Sequence, residues 1–222
     1  MIARRVRHYG LPQKKSTNMT TEQISETVKH IKQSFRLLMN GVTARSMREK
    51  GLDYKLNWGV SLPDLQKMAT EYEKDYGLAI ALWKEDIREC KILATMLMPA
   101  DEMPQEVVEI WMDQTHSQEM VEMASFGLFQ HLHYAPVLAY RWMACEDELR
   151  QMAAYLILSR LFARGQEPNE RGINEFLDQA EAALSGSSLA VRHAALNCVR
   201  RFADLGEEYE NIARKSLHLD FL

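Results

Sequence analysis

The chain has 222 residues, 46% apolar and 26% charged, with a net charge of −4, enough for one sizeable core. Residues 1–18 carry Arg4, Arg5, Arg7, Lys14 and Lys15 and no acid; subtracting these five from the 27 basic residues leaves 22 against 31 acids, a net of −9 for the remainder. Such a body argues against strong nonspecific attraction to duplex phosphates, though not against a local basic face, and no apolar run approaches the roughly 18 residues that span a bilayer.

The opening MIARRVRHYGLPQKKSTN lacks the apolar centre of a secretory signal. Residues 1–19 read as a basic, disordered tail, with Met19 as an alternative start and a transit peptide as a further reading. A single domain is expected over 20–217. It begins with the capping-box pattern T20-T-E-Q23, followed by Ile24, Val28, Ile31, Phe35 and Leu38 at helical spacing, with Gly41 as the stop. S61-L-P-D64 opens the next helix, Ser61 as N-cap and Pro63 in the first turn, and its apolar face of Leu62, Leu65, Met68, Ala69 and Tyr72 runs out at Gly77. Helices are then expected over residues 78–84, 86–98, 104–114, 117–131, 134–144, 147–163, 170–184, 188–204 and 207–217. Pro99, Pro104, Pro136, Gly165-Gln-Glu-Pro168 and Gly186 separate them. Strand alternation is absent. Cys90, Cys145 and Cys198 form no CxxC pair and sit in apolar helical stretches, which suits buried thiols and a cytoplasmic protein better than disulfides or zinc.

An internal repeat is visible. R88-E-C-K-I-L-A-T-M-L, R150-Q-M-A-A-Y-L-I-L and R192-H-A-A-L-N-C-V each open on arginine and run apolar, and the helix from residue 118 falls between the first two. Each unit has room for one outer and one inner helix, and stacked pairs bury faces that no pair can bury alone. The fold class expected is all-α, a solenoid of HEAT-like, armadillo-type repeats. Short helices without persistent heptads argue against a coiled coil.

N57-W-G-V-S-L-P-D-L-Q-K-M-A, L78-A-I-A-L-W83 and E89-C-K-I-L-A94 resemble the AlkD-like DNA alkylation repair proteins, and the resemblance extends over roughly residues 25–205. It implies a HEAT-like solenoid that binds DNA on its concave face. Active members excise purines alkylated at N3 or N7, with an aspartate, two tryptophans and an arginine on that face. In this sequence the catalytic aspartate's place falls on Glu122 and the first tryptophan's place on Gln118, within HSQEMVEM at 116–123. The arginine's place falls on Gln151, beside Arg150, and the second tryptophan's place on Asn197. The chain's tryptophans are Trp58, Trp83, Trp111 and Trp142, none at those places. A carboxylate can stabilise positive charge developing on a sugar, but glutamine and asparagine offer no aromatic face to a cationic base. The chain thus resembles divergent members that lack the catalytic set.

Gln118, Glu119, Glu122 and Ser125 form a narrow polar strip, either a solvated edge or the remnant of a site. Arg150, Arg192, Arg200 and Arg201 are candidate phosphate contacts, or partners of Asp147, Glu148 and Asp204. His131 and His133 lack the spacing and companions of a metal pair, His193 reads as groove-lining or capping, and no metal or cofactor is expected. Three functions follow: a DNA-binding protein without efficient base excision, an alkylpurine glycosylase using Glu122, or a scaffold for another protein, as the acidic body favours. The chain is expected to be a monomer without membrane contact.

Overall fold

A computed structural model describes residues 19–218. The tail read over residues 1–19 lies outside them except for Met19, whose backbone N–H donates to Asp75 Oδ2 at 3.1 Å. The described residues form twelve α-helices, two short 3₁₀ turns and no strand; Leu56 and Ile87 make an isolated bridge.

Helix α1 (Thr21–Leu38) begins with the capping box expected of T20-T-E-Q23. Thr20 Oγ1 accepts from the Gln23 N–H, and Gln23 Oε1 accepts from the Thr20 N–H at 2.8 Å. The sequence reading stops at Gly41, but a second helix starts there, α2 (Gly41–Glu49), capped by Asn40 Oδ1 at 3.0 Å from the Thr43 N–H. Helix α3 (Leu62–Ala69) keeps its Ser61 cap but ends at Thr70, before Gly77. Gly77 belongs to the first turn of α4 (Tyr76–Lys84), where a Cβ would come within 2.7 Å of Ile24 Cδ1 and would oblige that side-chain end to shift.

Next come α5 (Arg88–Leu97), α6 (Gln105–Asp113) and α7 (Gln118–Gly127). The single helix expected over 117–131 breaks after Gly127, and Phe129–His131 form a 3₁₀ turn. The remaining helices are α8 (Ala135–Met143), α9 (Glu148–Ala163), α10 (Glu170–Ser185), α11 (Leu189–Ala203) and α12 (Glu207–Leu217).

Helices α3, α5, α7, α9 and α11 pack one on the next as a layer. Helix α4 covers α5, α8 covers α9, and α10 covers α11, while α1 packs on α4 and α12 closes the end against α10 and α11. The repeat read from Arg88, residue 118, Arg150 and Arg192 therefore marks four successive helices of one layer. Trp83 of α4 and Trp111 of α6 stack at 4.1 Å between ring centroids, 2° apart, and tie neighbouring units together. Cys90 and Cys198 are buried, as expected, but Cys145 is only half-buried. Burial, followed by the nearby Glu85 charge, pushes the Cys90 thiol up to about 12, which keeps it protonated.

The turn into this layer rests on buried charge. Arg88, 3% exposed, reaches the Glu119 carboxylate from Nη2 at 2.6 Å and from Nε at 2.9 Å. Its Nη1 donates to the Val60 carbonyl at 3.1 Å and to Glu89 Oε1 at 3.3 Å. Glu89 has no exposed surface and accepts from the backbone N–H groups of Trp58 and Val60 at 3.2 Å. Burial alone would pull the Arg88 pKa down, but the bonds to Glu119 and the charges of Glu119 and Glu89 outweigh it and the net shift is upward. Gly59, inside the clamped segment, sits at φ +70°, and a Cβ there would lie 2.3 Å from the Asn40 carbonyl oxygen, so the loop requires glycine.

Candidate nucleic-acid interface

On α7, Gln118, Glu122 and Phe126 recur every four residues and share a stripe. Gln118 is exposed, while Glu122 and Phe126 are half-buried. Helix α9 is buried on nearly every side, and Leu156, Ser159 and Arg160 lie on its narrow open strip. On α11 the exposed side carries His193, Asn197, Arg200, Arg201 and Asp204. The Phe126 end of the α7 stripe meets the other two strips in a cavity of about 710 Å³ whose lining includes Phe126, Ser159, Arg160, Asn197, Arg200 and Arg201 with the acids Asp204 and Glu210, while Gln118 and Glu122 lie outside the lining.

Three of the candidate contacts, Asn197, Arg200 and Arg201, are thus brought together. Arg201 bonds Asp204 at 3.1 Å, the surface pairing that the sequence offered as the alternative. Sequence reasoning missed Phe126 and Arg160, whose guanidinium lies 4.4 Å from the Phe126 ring centroid. The signal for Arg160 was available: it is the one charge inside the apolar run LILSRLFA.

The other candidates go elsewhere. Arg150 is held by Asp113 at 2.5 Å, Asp147 at 3.3 Å and Glu109 at 3.5 Å, on the α6 side of α9. Gln151 donates to the Cys145 carbonyl at 2.7 Å and faces a separate cavity of about 240 Å³ beside Glu146 and Glu148. Arg192 is half-buried near the start of α11 and does not line the cavity of Asn197. His131 lies by Arg164 at 3.4 Å, which, after burial, holds its pKa below the ordinary histidine value.

The polar strip of α7 divides between the two readings. Glu119 is consumed by Arg88, a structural role. Glu122 remains half-exposed, and its carboxyl pKa is raised by partial burial and then by the charge of Glu119. An acid whose folded-state pKa exceeds its unfolded value is stabilised by protonation on folding. That contribution is present below the ordinary carboxylate value and is lost as pH rises through Glu122's own. At neutral pH the ionised Glu122 therefore costs stability. Glu122→Gln is expected to raise the urea midpoint at pH 7, and the gain is expected to shrink as the pH falls through Glu122's raised pKa and to be gone below the ordinary carboxylate value. A gain that grows on acidification would contradict this assignment.

No tryptophan lines the cavity. Trp83 and Trp111 occupy each other, Trp142 is buried with its Nε1–H on Glu109 at 3.1 Å, and Trp58 lies in the segment clamped by Glu89.

A family model for DNA alkylation repair enzymes matches residues 31–209. A solved structure from a family of proteins related to the HEAT-like repeat DNA glycosylases, with affinity for branched DNA structures, superposes with a TM-score of 0.74. That likeness covers 86% of this chain and 83% of the other, at 18% sequence identity, and it bears on the fold. No curated protein sequence matches. The family match spans most of the helical array, from within α1 to the start of α12, and the chain therefore belongs to the DNA alkylation repair enzyme family.

Proposed function

We propose that this protein binds DNA through the face formed by α7, α9 and α11 and does not excise alkylated bases efficiently. The observation that carries the binding half is the convergence of Arg160, Arg200 and Arg201 with Asn197 and the Phe126 ring in one cavity. Guanidiniums suit phosphate oxygens, and an asparagine amide can join them without reading sequence. Family membership makes DNA the polymer to test first.

The absence of tryptophan from the lining supports the second half. Glu122 alone can offset charge on a sugar only while ionised. Nothing beside it stacks on a cationic base, because the Phe126 face already carries Arg160. An acid without a base-holding surface supplies little that is specific to the transition state.

The test is single-turnover incubation with methylated duplex DNA, protein in excess, so that slow product release hides nothing. Little or no 3-methyladenine or 7-methylguanine is expected. Robust release that disappears in Glu122→Gln would establish the alternative, a glycosylase using that carboxylate. The Glu122 carboxyl, half-exposed and in no ion pair among the described residues, is the feature that favours it.

A further inference from the structure

A second surface lies at the other end of the array. Helix α1, the end of α4 and the 55–58 segment enclose a trough of about 1170 Å³. Five cations line it, Lys29, Lys32, Arg36, Lys55 and Lys84, against two acids, Glu85 and Asp86. Lys32 takes Glu85 at 2.8 Å. Among the described residues Lys29, Lys55 and Lys84 form no ion pair. Arg150, by contrast, is surrounded by carboxylates. Charge along the chain agrees: residues 19–60 hold seven basic and four acidic residues, whereas residues 61–222 hold 15 and 27. The trough is a place where an acidic protein presents uncompensated positive charge.

It also presents a ring. The Trp58 backbone is fixed, its N–H on Glu89 and its carbonyl accepting from the Asn40 N–H at 2.9 Å. The indole remains partly exposed in the trough, with the Arg36 guanidinium 6.0 Å from its centroid. Its Nε1–H is buried and has no hydrogen-bond partner among the described residues, so it is the ring face, not this group, that the trough presents. Ile24, Val28 and Leu56 add apolar lining. Cations that follow a backbone, beside an aromatic face that any base can stack on, are the means by which single strands are held without sequence preference. A duplex keeps its base faces stacked inside and has no use for the ring. An acidic peptide would match the lysines and leave the indole unused.

We propose that the α1–α4 trough is a second nucleic-acid site, which holds a single-stranded segment against Trp58. This goes beyond duplex binding on the α7–α9–α11 face and stands without it. A chain using both surfaces would hold a duplex together with an unpaired strand leaving it.

Trp83, Trp111 and Trp142 are 2–3% exposed, so quenching of indole fluorescence by oligo(dT) in the full-length protein reports on Trp58. Saturable quenching is expected. Trp58→Phe should abolish the quenching yet retain binding by anisotropy, because a ring remains, whereas Trp58→Ala should weaken binding roughly tenfold. Combined replacement of Lys29, Lys55 and Lys84 by alanine should lower the salt slope for oligo(dT) by about two units, at roughly 0.7 per phosphate contact. Blunt duplex affinity should stay unchanged in that variant. Oligo(dT) affinity and slope unaltered by the lysine changes would overturn the proposal. So would undiminished binding in Trp58→Ala, or equal competition by polyglutamate or phosphatidylserine vesicles, which would mark mere charge attraction. Loss of duplex binding on changing α9 and α11 bears only on the other face, so the two readings fail separately.

Discussion

Arg88→Ala is expected to destabilise the fold by about 3–5 kcal/mol, because it leaves buried carboxylate without its counter-charge. Glu89 has no exposed surface, and Glu119 is only 22% exposed, so neither can recover its loss from water alone. The guanidinium also supplies the donor to the Val60 carbonyl, which would be left unpaired. Urea unfolding followed by circular dichroism reads the loss as a lower midpoint at unchanged slope. Arg88→Lys should recover little of it, since an ammonium cannot fork to Glu119 while reaching Val60 and Glu89. Glu89→Gln should cost more than Glu119→Gln, because Glu89 alone accepts from the Trp58 and Val60 backbone and lies fully inside. Equal and small losses in all these variants would mean that the charges are hydrated and do not hold the loop.

The sequence showed Arg88 and Glu89 as the start of a repeat and as a family pattern, without showing what they do. Their partners lie about thirty residues away on either side, in the loop at 58–60 and at Glu119. The helices themselves were legible because their signals are local. Capping side chains stand within three residues of the groups they satisfy, as at Thr20, Ser61 and Asp147. The apolar repeat reports burial directly. Helix α2 escaped because Ala44 is its one buried residue, so it has no stripe to read, and because Gly41 looks like a stop when seen without the Asn40 cap. The break after Gly127 was hidden by the apolar residues that continue through it.

Charged residues were harder to place for the same reason. Arg150 was one of four basic candidates and stood beside a family position. Its strongest partner, Asp113, comes from 37 residues earlier on the neighbouring helix, and no local pattern announces that meeting. The pairing of Arg201 with Asp204 could be read from an i, i+3 spacing. Glu119 and Glu122 are neighbours on one strip, yet one is structural and the other remains open. What separates them is the reach of Arg88 from another helix. Phe126 and Arg160 are joined across two helices, and only their packing reveals the pair.

That pair belongs to the surface with the largest expected effect on DNA. If Arg160, Arg200 and Arg201 each meet a phosphate, replacing all three by alanine should lower the salt slope for duplex binding by about 2.7 units, roughly 0.9 per contact. Between 50 and 200 mM salt the native affinity should then fall roughly forty-fold more than that of the variant. The loss should be similar for duplexes of different sequence, because phosphate contacts carry no base information. Asp204 supplies an internal control. Its carboxylate competes for Arg201 and repels phosphate from the same lining. Asp204→Asn should strengthen duplex binding and steepen the slope, in the opposite sense to the arginine changes. Arg150→Ala should leave the slope alone, since Asp113, Asp147 and Glu109 already neutralise that guanidinium. Loss of slope on changing Arg150, with none on changing the other three, would move the duplex off the α7–α9–α11 face and onto the α6 side of α9.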